Sequence, residues 1–565
     1  MRSVGTAHAA VEMGQRRDFI FFGPADQGEA GMKRFRSALG AMAVAMLVAA
    51  CGSDTQTAVV NNSTAHGTLV ENPPLRIASL NATDFAAELN STTSGQQLLQ
   101  LTGTPTCGVD FYYLKFYTVG GAGEATMSSG ALMVPTGAAG TCSGARPIVL
   151  YAHGTNTDKT FNIADITNTS NTEGALIAAM FAAQGYIVVA PNYAGYDIST
   201  LGYHPFVNAT QQSGEMLDIL AAARTALPKT FASSTTDSGK LFVTGYSEGG
   251  FVAMATQRAL QEANTPPTAS APMSGPYALE AFGDAIFYGH VDIGSTVFAP
   301  LISTSYQHAY GNIYSAPTDV YSSTYASGIA NLLPSATPID TIYANGQLPE
   351  LALFDSTTPT AATYPTVPAP LLAAMAIPTL DPTNPATAVW DSGFGNPYLI
   401  TNDFRVSYVV DAGTNPDGAL TTPATYTLAA AAPTQTLRKA LYMNDLRNGT
   451  WVPEAPTLLC GGENDPTVFF SVNTQVMQAY WTGVLPAPAG ALTVLDVDPA
   501  TAPSGPFAAI QTAFQATEAA ELQALISSGL TQTQAEEQAI AGYHTGVAPF
   551  CSLAARSFFD SVLLQ

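Results

Sequence analysis

The sequence predicts an α/β fold, a mostly parallel sheet with helices on both faces. Two observations carry that expectation. Residues 147–152, 186–190, 241–244, 457–460 and 492–495 are short apolar runs, most of them separated by segments of helical periodicity. Strands that are apolar almost throughout are buried on both faces, as a helix-covered parallel sheet requires. The second observation is the stretch from Leu241 to Gly250. There an apolar run enters Gly245-Tyr246-Ser247-Glu248-Gly249 and leaves as a helix, with Phe251, Met254 and Ala255 at helical spacing. A strand that turns sharply into a helix at a serine flanked by glycines is a nucleophile elbow.

At the N-terminus, Lys33, Arg34 and Arg36 precede a 13-residue apolar run over 38–50, closed by Val48-Ala49-Ala50-Cys51. A membrane span needs about 20 such residues. A basic start, an apolar centre and a small-residue end make an export signal, and small residues before a cysteine resemble the lipobox of bacterial lipoproteins. Cys51 is therefore expected to become the lipidated first residue of an exported protein; cleavage there with release of the chain is the alternative. The leader residues 1–31 do not fit such a signal, because Glu12, Asp18, Asp26 and Glu29 interrupt it; they read as an over-extended start, with Met32 the natural one. Arg16-Arg17 faintly resembles a twin-arginine signal, against which those acidic residues argue.

A polar linker over 52–74 leads into two strands, 110–117 and 130–134, that read as an antiparallel pair. Residues 75–275 are the first part of the core. Over 276–437 the alternation is lost, and Pro359, Pro365, Pro368 and Pro370 exclude a long helix or central strand there. We read this segment as an inserted cap. The α/β pattern resumes in 438–565, where a helical stretch over about 507–541 precedes the last motif.

Hydrophobic residues are 47% of the chain and charged ones 11%, which favours a sizeable core over disorder. The balance is 19 basic against 42 acidic residues, net −23; residues 1–50 hold 6 basic and 4 acidic, leaving 13 against 38 in the exported part. Nucleic acid and anionic surfaces are poor partners for such a charge, and neutral substrates fit better. Beyond Cys51 the cysteines are Cys107, Cys142, Cys460 and Cys551. An even number in an oxidising compartment predicts two disulfides rather than free thiols, with three possible pairings. The favoured one joins Cys107 with Cys142 around the early strands, and Cys460 with Cys551 around the late motifs.

A serine nucleophile needs a base, and the base an orienting acid, in the chain order Ser, Asp or Glu, His. Of seven histidines only His544 follows the last apolar run, in Gly542-Tyr543-His544-Thr545-Gly546, read as a loop before a final helix. The acid should follow a late strand. Asp465 does so in 461–468; Glu463 and Asp284 are weaker candidates. The oxyanion donors should be the backbone N–H groups of Glu248 and of Thr155, in His153-Gly154-Thr155. His153 is expected to be structural, and the Glu248 carboxylate a helix-start charge.

Together, 151–155, Ala190-Pro-Asn-Tyr-Ala-Gly195, His204-Pro205-Phe206, the Ser247 elbow, Pro272-Met-Ser-Gly-Pro276, 461–465 and His544 resemble the secretory lipase family of α/β-hydrolases and its bacterial relatives. The resemblance covers roughly residues 75–275 and 438–565. It implies ester hydrolysis, a cap inserted after the strand near Ser270, and a triad of Ser247, Asp465 and His544. Where such proteins often have Asp-Tyr-x-Gly, this chain has Asn192-Tyr193-Ala194-Gly195.

The expected protein is thus a lipid-anchored serine carboxylesterase or lipase acting on neutral or lipid-like esters. No metal or organic cofactor is implied, since the chain lacks His-Glu-x-x-His, Cys-x-x-Cys and a Walker-type phosphate loop. A serine exopeptidase on the same fold and a catalytically silent surface-binding protein are the rival readings.

Overall fold

The computed structural model describes residues 65–565 except 167, 169, 170, 233, 382, 383, 385 and 422–431. The leader, the export signal and Cys51 lie outside the described residues.

The sheet is built from β1 (Leu75–Leu80), β2 (Gly108–Val119), β3 (Ala125–Thr136), β4 (Gly144–Ala152), β5 (Ile187–Pro191), β6 (Thr235–Tyr246) and β7 (Ala269–Met273). A small pair, β8 (Phe354–Asp355) and β9 (Phe394–Gly395), stands apart, and β10 (Thr457–Gly461) and β11 (Leu492–Asp496) complete the main sheet. Its order is β1-β2-β3-β5-β4-β6-β7-β10-β11. The pairs from β1 to β5 are antiparallel; every pair from β5 through β4 to β11 is parallel. All residues of β5, β7 and β10 are buried, so both faces of the sheet centre are covered. One pair of covering helices is Thr172–Met180 with Gln532–Leu563, and another is Ala209–Ala226 with Glu248–Glu262. Asn171, Asn208 and Thr531 each accept a hydrogen bond from a first-turn amide, satisfying donors that a helix start leaves free.

Between β7 and β10 the chain forms helices Leu279–Tyr288, Ser295–Tyr310 and Asn402–Thr414 around the β8–β9 pair, and the proline-dense part around 359–370 contains no long element. Helix Thr436–Asn444 brings the chain back. Disulfides join Cys107 to Cys142 and Cys460 to Cys551.

Two elements differ from the sequence reading. β1 was not anticipated, and it forms the exposed edge of the sheet. The larger difference concerns His544, expected in a loop before a final helix but found inside the 32-residue helix Gln532–Leu563. Gly542 and Gly546 do not mark a turn. A Cβ at Gly546 would stand 3.3 Å from Glu518 Oε1, and one at Gly542 3.7 Å from Glu521 Oε1, so these glycines face helix Ala508–Ser527 at close range.

Candidate active site

The C-terminal ends of β4, β6, β7 and β10 meet at one edge of the sheet. Gly245 pairs with Ala152 on one side and Pro272 on the other. Ser247 follows β6 directly and opens helix Glu248–Glu262 with φ 60° and ψ −123°, a conformation that strains any residue with a side chain. Its amide donates to Met273 O at 3.0 Å, and its carbonyl accepts from Gly250 N at 2.8 Å. The flanking glycines are obligatory. A Cβ at Gly245 would lie 2.3 Å from Gly249 O, and one at Gly249 would lie 1.9 Å from Ala152 O.

His544 Nδ1 donates to Asp465 Oδ2 at 2.7 Å, both side chains being buried. That bond fixes the tautomer and leaves Nε2, which has no hydrogen-bond partner among the described residues, as the basic atom. Asp465 Oδ1 accepts the amides of Thr467 and Val468, each at 2.9 Å. Its turn-capping and orienting roles are thus served by different oxygens. Tyr246 OH donates to the carbonyl of His544, and the two rings lie 4.9 Å apart. The Cys460–Cys551 bridge ties the strand before Asp465 to the helix of His544.

The other two acid candidates have different surroundings. Asp284 is held by Arg438, Nε to Oδ1 at 2.8 Å and Nη2 to Oδ2 at 2.9 Å. Glu463 is exposed.

Ser247, Thr155 and Glu248 line a cavity of about 110 Å³ whose remaining wall is mostly apolar, including Phe282, Phe287, Phe298 and Ile302 from the segment after β7. Both residues expected to supply the oxyanion donors therefore border the same space as Ser247. The Glu248 carboxylate turns away from catalysis: its Oε1 accepts from His204 Nε2 at 2.7 Å and from Gln212 Nε2 at 2.6 Å. His153 is fully buried and stacks on Tyr193 at 4.1 Å, and burial pulls its pKa down to about 4. It is a neutral wedge under the Thr155 loop. Asn192 accepts Ile163 N at 2.8 Å and donates to Ser129 Oγ at 2.8 Å, so it braces that region without a charge.

Sequence reasoning missed Glu173. Its carboxylate accepts the Gly154 amide at 3.1 Å and the Tyr151 hydroxyl at 2.8 Å, holding the Thr155 loop from below. Burial pushes its pKa up to about 7. The only local signal was an acidic residue in the first turn of a helix.

The geometry is that of a serine hydrolase on the α/β-hydrolase fold. The profile of the prolyl oligopeptidase family matches residues 174–273, the stretch that contains the elbow. A search of curated proteins gives no match to this chain. Among solved structures, the rice cell wall degrading esterase LipA from Xanthomonas oryzae is 23% identical, with a TM-score of 0.56 over 77% of this chain and 92% of that one. A Legionella pneumophila protein of proposed hydrolase function is 17% identical, with a TM-score of 0.57 over 88% of this chain and 98% of its own.

Proposed function

We propose that this chain is a serine carboxylic ester hydrolase that works through an acyl-enzyme on Ser247. Ser247 Oγ attacks the ester carbonyl while His544 Nε2 takes its proton. Asp465 holds the imidazole through Nδ1 and stabilises the imidazolium, and the amides of Glu248 and Thr155 bind the oxyanion. His544 then protonates the departing alcohol, and water, activated by the same nitrogen, releases the acid. The observation that carries this reading is the strained serine beside an apolar cavity, with a buried His–Asp pair whose second nitrogen is free.

Neutral, lipid-like esters suit a cavity that no lysine or arginine lines among the described residues. The family match over 174–273 keeps a serine exopeptidase as the second reading. The two disulfides support an exported protein in an oxidising compartment, and the 33–51 segment supports a lipid anchor at Cys51.

A fluorophosphonate probe should label the wild-type protein at Ser247, and p-nitrophenyl butanoate should be turned over in preference to aminoacyl p-nitroanilides. Absence of labelling would reduce the chain to a silent binding protein. Faster cleavage of the anilides would move it to the peptidases.

A further inference from the structure

The cavity wall contributed by the segment after β7 is apolar except for a few groups, and one of these is a buried acid. Asp292 lies between helices Leu279–Tyr288 and Ser295–Tyr310, borders the cavity and is 4% exposed. The amide of Ile293 donates to Pro466 O at 3.1 Å, which sets Asp292 beside the loop of Asp465. Asp292 Oδ1 accepts from Ser295 Oγ, whereas Oδ2 is buried with no hydrogen-bond partner among the described residues. The helix that follows engages Oδ1 through its first residue, Ser295, but not Oδ2, and its N-cap Gly294 makes no side-chain cap bond. A buried carboxyl oxygen left unpaired is costly and calls for a donor. Burial also pushes the Asp292 pKa up to about 7.

We propose that Asp292 is a specificity residue whose free Oδ2 accepts a hydrogen bond from a hydroxyl or amino group on the ester bound at Ser247. The preferred substrates are then largely apolar esters that carry one such donor. This rests on Ser247 being the nucleophile. A site built to bond a substrate donor rejects the analogue without it, because its own polar group stays unpaired, whereas an apolar wall discriminates only weakly.

The test compares kcat/KM of the purified protein for p-nitrophenyl butanoate with that for its β-hydroxy and β-amino counterparts. On the alcohol side it compares propyl butanoate with glycerol monobutanoate. At least one donor-bearing ester should be preferred by about tenfold or more, and the hydroxy and amino arms tell which donor is used. Asp292→Leu should bring the preference to about twofold or less, and Asp292→Asn should keep part of it, because its amide oxygen still accepts. Fluorophosphonate labelling reports whether each variant retains an active Ser247. If Asp292→Leu does not fold, the Asn variant and the wild-type panel decide.

Wild-type protein that labels but treats all these esters alike overturns the proposal, as does a labelled Asp292→Leu that keeps the preference. Wild-type protein that does not label removes the nucleophile, and this inference falls with it.

Discussion

The two walls of the cavity are held in place by different physics. The wall made by the strand ends is set by the backbone. Ser247 is pinned by its bond to Met273 O, Gly245 and Gly249 leave no space for a Cβ, and a disulfide ties the Asp465 and His544 segments together. The opposite wall, from the segment after β7, is set by packing of phenylalanines and by carboxylates clamped by buried arginines. Arg438 holds Asp284 and Asp411, and Arg447 holds Asp417 and Asp445, all buried. A strained backbone position admits few residues, whereas an apolar wall accepts exchanges of similar volume at small cost. On the proposed function, the first wall fixes the chemistry, and the second can change its preference without disturbing it.

The largest test of that division is at Ser247. Ser247→Ala should lower turnover of p-nitrophenyl butanoate by roughly a million-fold with the fold intact by circular dichroism. Asp465→Asn should cost less, roughly ten-thousand-fold, since the oxyanion donors remain in place while the imidazole is mis-set. A loss of less than about tenfold for Ser247→Ala would remove the triad assignment.

The walls should also come apart when their supports are cut. Cys551→Ala opens a link between residues separated by 91 positions, at a cost of up to about 4–5 kcal/mol in chain-entropy models. Activity should fall in denaturant before global unfolding, because the acid and base segments lose their tie. Arg447→Met leaves Asp417 and Asp445 buried without their cation, with an expected destabilisation of about 3–5 kcal/mol. At temperatures where both variants stay folded, Arg447→Met should alter KM and ester preference, and Cys551→Ala the rate of fluorophosphonate labelling. Identical profiles for the two would show that the walls do not act separately.

The smallest effect is expected at Glu173, whose folded pKa of about 7 lies above the ordinary 4.5. The folded state holds this proton more tightly than the unfolded chain. The stability it contributes is therefore fully present below the ordinary value and is lost as pH rises through about 7. Glu173→Gln lacks that loss. The stability of the variant relative to its parent should rise between about pH 4.5 and 7, as urea unfolding across that range would show. A constant difference would mean that Glu173 ionises in the ordinary range.

Ser247 and Asp465 are legible in the sequence because each is defined by its own neighbours: a glycine-flanked corner, and an acid placed just beyond an apolar strand. His544 is legible by chain order alone. Its helix is not, because Gly542 and Gly546 signal a turn locally and a close helix contact only when Glu518 and Glu521 are in view. Glu173, Asp292, Arg438 and Arg447 were missed for the same reason. Glu173 matters through Gly154, Asp292 through the cavity and the Pro466 loop, and Arg438 through Asp284, which lies 154 positions away. No local pattern records such distant partners.

Tyr246 and His544 touch across 298 positions of the chain. Synthesis proceeds from the N-terminus, so Ser247 is made long before His544. A chain still on the ribosome, or one threaded unfolded through a membrane, holds only an ordinary serine hydroxyl. In the proposed mechanism, hydrolytic power arises only when helix Gln532–Leu563 settles against β10 and delivers its imidazole. If Ser247 and His544 act as proposed, the order of the residues withholds activity until folding is finished.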